Sequence, residues 1–238
     1  TAAALSYNYA LNLMDVDQHK ESAREFSKTV KIYTQVFGRN SESLASVYFD
    51  EGRANLPINR GKSRRAFERG INIIGDIYGT SSLNFADVNV QAGIILSEGS
   101  NLPITERSFE NALNIYENEF GRDNLYTALV NFHLGKYHFM NANVSKSENF
   151  LSNAIVGLES LESLESKDDV DQALLAAARG LFDRLGEVRY VREDYERQVE
   201  EYLQERSRIN REMRSSQSQS NSGGTSTSAP AQTGGAPQ

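Results

Sequence analysis

Three histidines, a Gly-Lys-Ser triplet and one acidic run are the parts of this 238-residue chain that could do chemistry. His133 and His138 stand five residues apart, so they do not share a helix face as two metal ligands at i and i+4 would. With His19 they read as polar or half-buried helix residues. Gly61-Lys62-Ser63 invites a phosphate-loop reading, but that motif needs a glycine five residues before its Gly-Lys pair, and Leu56 occupies the place. The triplet also follows a helical pattern rather than a strand. The run ESLESLESKDDVD, Glu159–Asp171, supplies carboxylates without the glycine on which a calcium loop turns, so it reads as a solvated helix end and loop. In RRAFERG, Arg64–Gly70, Glu68 and nearby acids dilute the basic residues. There is no Gly-x-Ser-x-Gly elbow. The chain has no cysteine, which excludes thiolate catalysis, disulfides and cysteine-held metal. These residues give no catalytic group, metal ligand or cofactor site, and an enzyme is not expected.

The rest of the composition narrows the partner. Lys and Arg number 25 against 32 Asp and Glu, a formal charge of −7, which disfavours a general affinity for nucleic acid or acidic lipid. The longest apolar cluster, ALLAAA at Ala173–Ala178, falls far short of the ~18–20 residues of a membrane span. Absence of cysteine and a first residue Thr1 fit an exported or periplasmic protein freed of a signal peptide. From Ser215 the chain has no charge, aromatic or branched aliphatic residue. Such a segment cannot offset the ~1–2 kcal/mol per residue that backbone ordering costs, so residues 214–238 are expected to form a disordered tail.

The elements that must position everything else repeat. FSKTVKIY from Phe26, FERGINII from Phe67, FENALNIY from Phe109 and LSNAIVGL from Leu151 align at spacings of 41, 42 and 42 residues. A glycine follows three of them, at Gly38, Gly79 and Gly121, with Ser163 in the fourth place. About sixteen residues before each large residue stands a small one: Ala10, Gly52, Gly93, Gly135. Ser22, Ser63, Thr105 and Ser147 come four before it; Thr29, Gly70, Ala112 and Ala154 come three after. Each period holds two helices of roughly 15 residues, the first offering a small side chain where the second inserts a ring. One such pair cannot cover its own apolar face, so copies stack and bury it between them.

This pattern resembles the tetratricopeptide repeat (TPR). Leu134-Gly135 is similar to the family's Leu-Gly pair, and the period of about 42 with a glycine after the second helix resembles the kinesin-light-chain type. The usual Trp and closing Pro are absent; Pro57 and Pro103 lie instead near the turn inside a pair. The resemblance implies an all-α fold, a right-handed α-α superhelix of antiparallel helix pairs. Four pairs are expected at about 2–40, 41–82, 83–124 and 125–166. Residues 170–213 should form a degenerate fifth pair or capping helix, QALLAAARGLFDRLG ending near Gly186, then a charged helix with an apolar stripe at Val191, Tyr195, Val199, Tyr202 and Ile209.

By the same resemblance, first helices line a concave face that holds a peptide or partner segment. With Ala3, Ala45, Ala86 and Ala128 as the first residue of each unit, the fifth position gives Tyr7, Phe49, Val90 and Phe132. The ninth gives Leu11, Arg53, Ile94 and Lys136. Such a row suits an apolar segment bearing an acidic group. The Asn pattern that clamps a terminal carboxylate in some TPR proteins is not matched, since Asn131 stands beside the required position. The expected function is a non-enzymatic protein-interaction scaffold; the alternative is a docking module of a larger exported or envelope-associated complex, such as a transport-coupling protein, with the tail as linker.

Overall fold

The computed structural model describes residues 2–99, 102–162 and 169–222. Among them the backbone is all helical, with no strand: α1 Ala2–Asp15, α2 His19–Phe37, α3 Glu42–Asn55, α4 Arg60–Tyr78, α5 Leu83–Gly99, α6 Pro103–Phe120, α7 Leu125–Met140, α8 Val144–Glu162 and α9 Asp169–Ser222. Neighbours in sequence pack as antiparallel pairs, α1–α2, α3–α4, α5–α6 and α7–α8, and each pair docks on the next through α2–α3, α4–α5 and α6–α7. First helices also touch one another, α1 with α3 and α5 with α7, while second helices do not meet to the same extent. At those two seams the first helices are the more crowded side of the stack.

One turn, written three times, joins the pairs. Gly38, Gly79 and Gly121 have φ of +85°, +89° and +82° and close the helix by donating N–H to the carbonyl four residues back. A Cβ there would meet nothing within 4 Å, so the need for glycine is conformational and not steric. Three residues later comes an N-cap: Ser41 accepts from Leu44 N–H, Ser82 from Phe85 N–H, and Asn124 from Tyr126 N–H. Inside the pairs the turn is made differently. Asp17 and Ala142 enter the left-handed region, φ 59° and 56°, and the next N–H, of Gln18 or Asn143, reaches back to Leu13 or His138 at 2.9 Å. Pro103 opens α6 at its first turn, where a missing N–H costs nothing.

The core follows the repeat. Phe26, Phe67, Phe109 and Leu151 are fully buried. A Cβ added to Gly52 would lie 2.6 Å from the Phe67 ring, one on Gly93 2.6 Å from Phe109, and one on Gly135 2.6 Å from Leu151. The small residues are thus the sockets into which the next helix's large side chain fits. Ala10 is buried in the same cluster as Phe26.

The chain divides into two units, Thr1–Gly186 and Glu187–Gln238. In the first, the opening turns of α9 bury Leu175, Ala178 and Leu185, and Leu175 joins Ala128 and Leu158 in a cluster that covers the fourth pair. Arg179 and Glu159 make an ion pair at 2.6 Å beside it. In the second, the described side chains are mostly solvated and linked by local pairs such as Arg208–Glu205 at 3.0 Å and Gln198–Asp194 at 2.8 Å. The expected stop near Gly186 does not occur: α9 runs through Gly180 and Gly186, so 170–213 is one helix and not a pair. Residues 214–222 of the expected tail also belong to α9. Residues 163–168, in the middle of the acidic run, and 223–238 lie outside the described residues. Of the expected stripe on this helix only Val199 has a described side chain, and it is exposed; the side chains of Val191, Tyr195, Tyr202 and Ile209 lie outside the description.

Candidate functional site

The eight residues predicted for the groove stand on α1, α3, α5 and α7, two to a helix, four positions apart. One helical turn of spacing puts each pair on a common face. The fold treats them unequally. Val90 is buried in the cluster around Phe109, and Ile94 packs half-buried against the same cluster. Tyr7 and Leu11 lie half-buried against the cluster of Phe26. The Phe49 ring covers Gly70, whose added Cβ would sit 2.9 Å from it, and tilts against Phe67 with centroids 6.0 Å apart. Phe132 is half-buried with its ring edge-on to His133 at 5.5 Å. Arg53 and Lys136 are exposed.

The row is also wired by groups that the spacing argument missed. The Tyr7 hydroxyl donates to Asp50 at 2.5 Å, joining α1 to α3 across the first seam. Burial, and then the bond to Asp50, raise the Tyr7 pKa above the usual tyrosine range, so the phenol stays protonated as a donor. Asp50 in turn holds Arg53 at 3.3 Å. That carboxylate stands three residues before Arg53 on one helix, a spacing that signals an ion pair. On α7 the His133 ring lies flat on Phe109, centroids 5.7 Å apart and 6° from parallel. Burial first, and Lys136 second, push its pKa down to about 4, so it is neutral at pH 7.

His138 is nearly fully buried and stacked on Phe150 at 5.5 Å. Its Nε2 comes within 3.4 Å of Glu106 without hydrogen-bond geometry. Burial lowers its pKa in spite of Glu106. Glu106 is bound instead by Lys146 at 2.7 Å, which links α6 to α8. His133 and His138 thus stack on different rings of one cluster, Phe109 and Phe150, and are not aimed at a common point. Asn131 is buried, donates to Thr127 O at 3.0 Å, and lines a cavity of about 390 Å³ with Asn149 and Asn153 of α8. It faces the seam with the second helix. Among the described residues no three His, Cys, Asp or Glu side chains gather as a metal-ligand set, and no helix is long and apolar enough to cross a membrane.

Stacked antiparallel pairs at a 41–42-residue period, glycine sockets under buried rings and first helices that crowd together at two seams define a TPR-like helical solenoid. Solved structures share that build. The chain superposes on the nearly identical TPR-like repeats of a Podosopora anserina kinesin light chain with a TM-score of 0.55 and 11% identity, over 80% of this chain and 91% of that one. A single-site variant of the same repeats gives 0.56 and 12%, over 80% and 91%. BtubC (BKLC) of P. vanneervenii is also similar, at a TM-score of 0.43 and 15% identity, over 81% and 90%. No family model matches the sequence, and no curated protein does. The likeness is one of fold: the chain is built as a TPR-like solenoid.

Proposed function

We propose that this chain is a non-enzymatic scaffold that binds an extended or helical segment of a partner protein along its row of first helices. The observation that carries the reading is the pairing of exposed Arg53 and Lys136 with the half-buried rings of Phe49 and Phe132, one turn away on the same helices. Leu11 and Ile94 continue the half-apolar floor, and Tyr7 closes it beside Asp50. Val90 lies beneath that floor and shapes it by packing. An apolar segment bearing a carboxylate matches such a surface, because the rings supply burial and the two cations supply orientation.

The test is a peptide display selection on the full chain, followed by calorimetry on the selected peptides. Selected sequences should combine apolar and acidic residues. Arg53→Glu with Lys136→Glu should weaken them tenfold or more, about 1.4 kcal/mol, with unchanged far-UV circular dichroism. Phe132→Ala should weaken them too. Selected peptides that bind the doubly reversed variant equally well would move the site off this row.

A further inference from the structure

The second helices carry a charge pattern that the groove reading does not use. On α2, Lys20, Arg24, Lys28 and Lys31 recur at spacings of 4, 4 and 3; on α4, Lys62, Arg65 and Arg69 recur at 3 and 4. Each set forms one stripe. The two stripes meet at Lys62, which lines one hollow with the α2 cations and a second with the α4 cations. A cavity of about 840 Å³ has Lys20, Arg24, Lys31 and Lys62 among its walls, and an adjoining one of about 150 Å³ has Lys62, Arg65 and Arg69.

Lys20, Arg24, Lys31, Lys62, Arg65 and Arg69 make no ion pair among the described residues, although Arg69 lies over the Tyr48 ring at 5.6 Å. The acids in these walls are outnumbered, three against seven cations: Glu25 pairs with Lys28 at 2.6 Å, Glu51 accepts from Ser27 at 2.6 Å and keeps its charge, and Glu21 is the third. A chain of net charge −7 thus concentrates unpaired cations on the second helices of its first two pairs, and such a patch attracts an anionic partner.

The pattern also ends where a short ligand would end. In the register of Arg24 and Arg65, α6 has Arg107, already bound to Glu68 at 3.2 Å, and α8 has Asn149. In the register of Lys28 and Arg69 stand Asn111 and Asn153. From these observations we infer that the outer face of the first two pairs, α2 with α4, is a second docking surface whose partner is a short acidic polypeptide segment. A long polyanion such as nucleic acid fits it poorly, because residues beyond the second pair carry an acidic excess that repels a continuing phosphate backbone. The surface lies on the second helices, apart from the first-helix row, and is tested separately from it.

Fluorescence anisotropy of a labelled twelve-residue Glu-Gly copolymer peptide, at 50 mM salt, on the full chain reads it directly. The expected result is saturable binding that weakens at least tenfold in 500 mM salt. It should weaken at least tenfold in Arg65→Glu with Arg69→Glu, and again in Arg24→Glu with Lys31→Glu, helix content being unchanged. Arg53→Glu with Lys136→Glu should leave it intact, which separates it from the first-helix site. Absence of binding, equal binding by the stripe variants, or tighter binding of a twelve-nucleotide single strand lost in those same variants would each overturn the inference. So would sedimentation showing that a second copy of the chain occupies the stripes.

Discussion

Phe109 on α6 and Phe132 on α7 are the same residue type on consecutive helices, yet the stack uses them for different ends. Phe109 is completely buried, with Gly93 opened beneath it and the His133 ring flat against it. Phe132 meets His133 edge-on and keeps part of its ring at the surface. Phe67 and Phe49 repeat the contrast in the second pair, where Phe67 is buried over Gly52 and Phe49 is half-buried over Gly70. Phe67 and Phe109 hold neighbouring helices together; Phe49 and Phe132 are only partly spent on that task. Each of these repeats therefore separates a ring spent wholly on packing from a ring left partly at the surface.

The largest test of this division is Phe109→Ala. Emptying a fully enclosed ring site should cost about 3–5 kcal/mol, because its backbone neighbours cannot collapse into the space. Phe132→Ala should cost less, since that ring is only partly buried and its site opens to solvent. Paired urea melts give both numbers. Equal losses would erase the contrast.

Acid should come next. His133 titrates at about 4 in the folded chain and near 6.5 when unfolded. Between those values the unfolded chain binds a proton that the folded chain refuses, so stability falls as pH falls from 6.5 towards 4. The slope from this one group approaches at most about 1.4 kcal/mol per pH unit. His133→Phe keeps a ring on Phe109 and removes the titration, so its stability should decline less steeply over the same window. Parallel curves for the two proteins would show that the stack on Phe109 carries no such penalty.

Much of this was legible in the sequence because burial repeats at a fixed period. Phe26, Phe67 and Phe109, their small partners and the turn glycines all stand out at 41–42 spacing, and each marks a physical need that recurs. The division among the residues expected to line a groove was not legible. Position five is the same place on four helices, but Val90 is short and β-branched and stays below the surface that Tyr7 and Phe132 reach. Asp50 was missed because its partner Tyr7 is 43 residues away. The continuity of α9 was missed because Gly186 read as a stop, although Gly180 was already placed inside the helix. An interior helical glycine costs only about 1 kcal/mol, and both sit there without a left-handed φ.

Gly93→Ala sharpens the contrast from the socket side. Its new methyl would sit 2.6 Å from the Phe109 ring, so the ring or the helix must move, at roughly 1–3 kcal/mol. Better helix propensity returns up to about 1 kcal/mol, for a net loss of about 1–2. Gly180→Ala gains the propensity with nothing within 4 Å to strike, and should stabilise its helix slightly. Thermal melts of both variants should move in opposite directions.

The smallest effect compares the same hydroxyl in two repeats. Ser147 Oγ donates to the Gly135 carbonyl at 2.8 Å, as Ser22 does to Ala10 at 2.8 Å, fastening second helix to first. Ser63 is equally buried in the second pair, but its hydroxyl has no partner, and neither has that of Thr105 in the third. Removing a satisfied hydroxyl forfeits about 1 kcal/mol, and removing an unsatisfied buried one relieves a desolvation cost. Ser147→Ala should therefore lower stability by about 1 kcal/mol while Ser63→Ala leaves it unchanged or raises it. If both serines cost the same, the bond made in the outer pairs and missing from the inner ones has no energetic meaning, and the fastening of the pairs rests on the ring and its socket alone.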